Sequence, residues 1–203
     1  MQLSELHYDA ITELLNIGMG QAAASLSEMV NEEVKLSVPT VELLSRNNAA
    51  HHLSASPKQK IAAVKQHFDG IFWGDALLLF PQEKSLELVR ALMKNDVPLE
   101  MLTELEQDAL TEVGNIILNS CISSLANVLV EEVTSELPVF LVGSANDVLD
   151  STVLNNDDCV LFLRMDFALQ EKDINGYVAF ILDIPSIESF KRSIDSYLTG
   201  TGI

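Results

Sequence analysis

The chain has 203 residues, 48% of them apolar and 21% charged, with only 9 Gly and 6 Pro, a balance that suits a folded globular protein and excludes a disordered one. Its 30 acidic residues against 12 basic ones leave a formal net charge of -18, whose field repels phosphate backbones and anionic lipid surfaces, so nucleic acid and membrane partners are disfavoured. The nearest approach to a basic patch, Lys58, Lys60 and Lys65, reads as ordinary solvated lysines.

In chain order, helical periodicity runs from about residue 3 to 30, extended segments continue to about 80, and an amphipathic helix reaches about 95. Within the extended part, EVKLSVP leads to the polar loop RNNAAHHLSASP, which carries His51 and His52. IAAVKQHFDG and IFWGDALLLF then meet at an Asp-Gly turn signal. After the short join KNDVPLEM the same order returns: a long helix through DALTEVGNIILNSCISSLANVL, an extended ELPVFLVG, then CVLFLRMDFAL and GYVAFILDI around a polar EKDIN connection. The amphipathic SIESFKRSIDSYL closes the series as QEKSLELVRALMKN closed the first.

The recurrence extends to single residues. Asp9, Ala10, Thr12, Glu13, Asn16 and Ile17 return as Asp108, Ala109, Thr111, Glu112, Asn115 and Ile116 at an offset of 99, and the same offset carries Pro39 onto Pro138 and Ser25-Leu26 onto Ser124-Leu125. Since a lone strand pair is marginal and no Gly/Ser- or Pro-rich linker separates the halves, the expected fold is α+β. Two pseudo-symmetric repeats, about 1–98 and 99–203, join one continuous sheet with the long helices on it as a single domain.

At 3.6 residues per turn, Asp9, Glu13 and Asn16 form a stripe on one helix face, and Asp108, Glu112 and Asn115 do the same. Ile11, Leu14, Leu15 and Ile17, with their counterparts Leu110, Val113, Ile116 and Ile117, are the expected anchors. An acid near a helix start complements the macrodipole, and Glu and Asn wet an exposed side. That does not account for Asn in mid-helix twice, where it is a poor helix former. Gly18 and Gly20 are a second oddity, each costing ~1 kcal/mol relative to Ala in a helix. Close packing against the other long helix explains them as well as contact with a partner does.

Other chemistries lack their signatures: no P-loop, GxSxG, HExxH or CxxC occurs, and His7, His51, His52 and His67 have no metal-ligand spacing, so no metal site is expected. The carboxylate pairs Asp9/Glu13 and Asp108/Glu112 lie on outward faces without an enclosing pocket to tune them as acid and base. Cys121 and Cys159 sit in apolar stretches and form no secreted disulfide framework, the N-terminus lacks a signal-peptide pattern, and no apolar run approaches the ~20 residues of a membrane span. A cytoplasmic setting is expected.

Asp or Ser, three residues, Glu, two residues, Asn, then 22 residues and Pro resembles the CheC, CheX and FliY family of chemotaxis phosphatases. Asp9, Glu13, Asn16 and Pro39 match one copy of that pattern, and Asp108, Glu112, Asn115 and Pro138 match another. The resemblance extends to NIG in the first helix, to GIFWGDALLLFP and to EVGN, and departs at Leu15, where the family often has the glycine that Gly114 supplies in the second copy. It implies an antiparallel sheet flanked by helices and, as substrate, a phosphorylated CheY-type response regulator that brings its own Mg2+, with CheD as a further partner. It also implies roles: Glu13 and Glu112 dock on the regulator's lysine, Asn16 and Asn115 orient the attacking water, Asp9 and Asp108 aid the contact, and Pro39 and Pro138 serve structure. A non-catalytic regulator-binding or switch-like adaptor is the alternative.

Overall fold

A computed structural model of the chain describes residues 3–53, 59–70, 72–92, 102–129, 132–152, 159–169 and 172–200. The join KNDVPLEM and Lys58 lie outside the described residues. The elements are α1 (Glu5–Val30), β1 (Val34–Ser45), α2 (Arg46–Leu53), β2 (Ile61–Gly70), β3 (Gly74–Pro81) and α3 (Gln82–Leu92). They are followed by α4 (Leu102–Leu129), β4 (Val133–Ser135), β5 (Val139–Gly143), α5 (Ala145–Asp150), β6 (Cys159–Leu169), β7 (Lys172–Leu182) and α6 (Ile184–Thr199).

Seven strands form one antiparallel sheet in the order β1-β6-β7-β3-β2, with β4 and β5 both on the outer side of β2. Each hairpin, β2–β3 and β6–β7, therefore receives the opening strand of the other half of the chain, and β3 against β7 joins the hairpins at the centre. The register repeats with the helices: Val34 faces Leu169 and Val133 faces Gly70, while Thr40 faces Arg164 and Val139 faces Lys65. Both outer strands break their register around the proline, between Ser37 and Thr40 in β1 and between Ser135 and Val139 in the second half. Such an irregularity frees backbone groups from the ladder, and they need other partners.

Alternating side chains give the sheet two buried faces. Ala62, Val64, Phe68, Leu78 and Phe80 pack under α1, α3, α4 and α6, whereas Ile61, Ala63, Leu77, Leu79 and Phe162 pack against the short α2 and α5. The RNNAAHHLSASP segment thus contains a helix over Arg46–Leu53 where a loop is expected. Ala49, Ala50 and Leu53 bury against the second face, but eight residues are too few for a helical period to stand out. His51 and His52 remain exposed, the latter edge-on to Phe162 with ring centroids 5.8 Å apart. The EKDIN connection is likewise shorter than expected, since Lys172 to Asn175 already belong to β7 and pair with β6.

Candidate functional site

Ser4 caps α1 in a reciprocal box with His7, and the His7 Nε2 lies 2.8 Å from Asp195 on α6, which fixes where the helix begins. Four residues later the acidic stripe starts. Asp9, Glu13, Asp108 and Glu112 are exposed, with no ion-pair or hydrogen-bond partner among the described residues. The repeated threonines have a local explanation: the Thr12 hydroxyl donates to the Tyr8 carbonyl at 2.7 Å and that of Thr111 to the Gln107 carbonyl at 2.6 Å. Ile17, an expected anchor, is instead 47% exposed beside Glu13, and Leu6 is exposed before it, so apolar knobs flank the carboxylates on α1.

The two asparagines differ. Asn16 turns its carboxamide back onto β1: its Nδ2 donates to the carbonyls of Thr12 (2.9 Å) and Val38 (3.2 Å), and its Oδ1 accepts the Val38 N–H at 2.9 Å. Val38 is the residue before Pro39, inside the register break, so the side chain supplies what the strand ladder does not. The spacing from Asn to Pro is the reach from helix to bulge. Asn16 therefore departs from the expectation that the whole stripe faces outward.

Asn115 makes no such clamp. Its Oδ1 accepts from the Asn119 Nδ2 at 2.7 Å, and its own Nδ2 has no partner among the described residues. Asn119 accepts at 3.1 Å from the Nε2 of Gln66, which also donates to the Glu136 carbonyl at 2.9 Å. The strand break beside it points the other way: Leu137, the counterpart of Val38, is 87% exposed where Val38 is 1% exposed. A cleft of about 640 Å3 lies between α4 and β4, lined by Asn119, Ser123, Asn127 and Thr134 among others. In the first copy Ser27 ties the equivalent helix and strand together, accepting the Val34 N–H at 2.9 Å, whereas the second has Ala126 at that place. Sequence reasoning passed over Asn119 and Gln66. The signal for Asn119 was a second Asn one turn after the first in NIILN.

The glycines separate into two roles. A Cβ on Gly18 would stand 2.8 Å from the Ser120 carbonyl oxygen and 3.0 Å from the Cys121 Cα, so this glycine sets the close approach of α1 to α4. Gly20 meets nothing within 4 Å and sits exposed one turn beyond Asn16. Gly114 lies against Val64, where a Cβ would come within 2.5 Å of a methyl group, while Leu15 is fully buried, so this departure from the family pattern concerns the core and not the outward stripe. Neither cysteine forms a disulfide, and burial pushes the pKa of the Cys121 thiol up to about 12. Among the described residues no cluster of His, Cys, Asp or Glu is placed to hold a metal ion, and no helix is long and apolar enough to cross a membrane.

A family model described as CheC-like matches residues 6–43, the segment holding Asp9, Glu13, Asn16 and Pro39. CheY-P phosphatase CheC of Bacillus subtilis is 27% identical over 128 residues, covering 62% of this chain and 61% of that protein. The CheC1 protein of Halobacterium salinarum is 24% identical over 188 residues, covering 92% of this chain and 93% of its own length. Among solved structures, Thermotoga maritima FliY shares the fold with a TM-score of 0.77 at 21% identity, covering 97% of this chain and all of that one. The motif segment thus matches the CheC-like family model, the chain is similar along most of its length to proteins named as CheC, and it shares the fold of FliY.

Proposed function

We propose that this chain accelerates hydrolysis of the aspartyl phosphate on a CheY-type response regulator, working in the cytoplasm. The observation that carries the reading is the pair of helices that each present an exposed Asp and Glu without internal partners, followed one turn later by an Asn. Unpaired carboxylates suit a cationic group on a partner, and Glu13 or Glu112 would pair with the regulator's lysine. The proteins to which the chain is similar include one named as a CheY-P phosphatase, which supports the choice of substrate.

An aspartyl phosphate already sits in a site with the regulator's own Mg2+ and lysine, so hydrolysis chiefly lacks a water held in line with phosphorus. A carboxamide is neutral and both donates and accepts, so it can hold that water without repelling the phosphoryl group. The water oxygen attacks phosphorus, the bond between phosphorus and the aspartyl oxygen breaks, and the products are the regulator's carboxylate and inorganic phosphate. The water's protons leave to the phosphate and solvent. No covalent intermediate forms on this chain, and Asp9 and Asp108 extend the contact.

In this scheme the two copies are unequal. Asn16 must release Val38 to reach an external water, and each hydrogen bond lost costs about 1 kcal/mol net. Asn115 already has an amide nitrogen without a partner among the described residues. The clamped Asn16 favours a second reading for the first copy alone, in which α1 docks the regulator without acting on it. Decay of a labelled phospho-regulator with wild type, Asn16→Ala, Asn115→Ala and the double variant tests both readings. Acceleration by wild type that is lost in the double variant supports the phosphatase, no acceleration by wild type leaves only binding, and undiminished acceleration in the double variant overturns the role given to the asparagines. CheD is proposed as a second partner on the family resemblance, and co-elution with the purified chain tests it.

A further inference from the structure

At two places the surroundings of α4 are polar where those of α1 are not: Asn119 stands where α1 has Gly20, and Gln66, on the hairpin beside α4, stands where the other hairpin has Met165. Gln66 is 2% exposed on the long-helix face of β2, and its Oε1 has no hydrogen-bond partner among the described residues. A buried amide left half satisfied is unfavourable compared with a thioether in the same slot. Stability of the sheet therefore gives no reason for a glutamine here. What Gln66 does hold is a directed chain, from its Nε2 to the Asn119 Oδ1 and from the Asn119 Nδ2 to the Asn115 Oδ1, anchored at the Glu136 carbonyl.

We propose that Asn119 and Gln66 are positioning residues for the reaction, acting through Asn115; this rests on the reading of Asn115 as the residue that orients water. A carboxamide has two ends of similar shape, and only its partners decide which faces outward. Asn119 presents a donor, so the Asn115 Oδ1 turns inward and the Nδ2 faces the regulator. Each amide that accepts at oxygen becomes a better donor at nitrogen, so the chain also strengthens the outward N–H group. That group donates to one lone pair of the water and leaves the other directed at phosphorus. The first copy has no relay and uses the Val38 backbone to hold its asparagine, with both ends of the amide engaged inward.

The test is made in the full chain carrying Glu13→Lys, which silences the first copy at an exposed position. Asn119→Asp replaces the donor with an acceptor and reverses the amide, so kcat for phospho-regulator decay falls about tenfold, the value of one orienting hydrogen bond, with KM unchanged. The side-chain amide resonance of Asn115 moves in the same variant with no regulator present. Asn119→Gln, which keeps a donor, retains the parent kcat, and Asn119→Gly, the residue of the first copy, loses it as Asn119→Asp does. Because Gln66→Met changes core packing together with the relay, the partly exposed Asn119 carries the test. A folded Asn119→Asp protein with kcat within twofold of its parent, or with an unmoved Asn115 resonance, overturns the proposal. If the parent fails to accelerate decay while the resonance still responds, the phosphatase reading falls and the amide geometry stands.

Discussion

Asn16 and Asn115 occupy the same place in two copies of one motif, yet one is folded onto a strand and the other is held one turn along its own helix. The difference lies in the neighbours. Where β1 runs past α1 it turns Val38 inward and offers both its backbone groups to Asn16, whereas the shorter β4 and β5 leave Leu137 in solvent and the adjacent Glu136 carbonyl to Gln66. The same sequence signature thus fixes helix to strand in the first copy and leaves an amide nitrogen available in the second. A motif asparagine can serve the fold and the chemistry, and its surroundings decide the balance.

The largest expected effect breaks that comparison directly. Asn115→Ala lowers the acceleration of phospho-regulator decay on the order of 100-fold, while Asn16→Ala changes it far less, as measured by loss of label from the regulator. Equal losses would show that the Asn16 clamp opens freely. Next in size, Asn16→Ala strips the buried Val38 N–H and C=O of their partners and destabilises the fold by roughly 1–3 kcal/mol in urea unfolding. Asn115→Ala removes one partly exposed bond and costs less.

The glycines of α1 sharpen the contrast between helix packing and open surface. Gly18→Ala drives a Cβ into the Ser120 carbonyl and destabilises by about 1–2 kcal/mol, whereas Gly20→Ala meets open space and raises stability by up to ~1 kcal/mol through helix propensity. Urea midpoints at unchanged slope report both. The smallest signal is thiol labelling at neutral pH. Cys121, fully buried and protonated well above neutrality, reacts far more slowly than the half-buried Cys159, and its rate rises in Gly18→Ala as the α1–α4 contact loosens.

Much of this was legible in the sequence for definite reasons. The helical period puts Asp9, Glu13 and Asn16 on one face whatever the rest of the chain does. The Asp-Gly signal marked the end of β2 and not the turn itself, since Asp69 and Gly70 pair with Thr134 and Val133 of β4 before β3 begins at Gly74. The offset of 99 that relates the helices also relates the strand registers, because a repeated pattern of inward and outward side chains imposes a repeated pairing. The α2 helix was hidden because an eight-residue segment with three buried apolar residues carries too little periodicity.

By itself, then, the sequence determined the order of the long helices, hairpins and closing helices, the two polar stripes and the long reach from each asparagine to its proline. Tertiary structure alone decided that the opening strands cross to the opposite hairpins and that Val38 is buried while Leu137 is exposed. It also decided that Asn16 is clamped while Asn115 answers to Asn119 and Gln66. The physical reason is that periodicity fixes which way a side chain leaves its helix but not which groups meet it. Those groups come from strands 22 and 53 residues away, in either direction along the chain, whose register and bulges are set by the whole sheet.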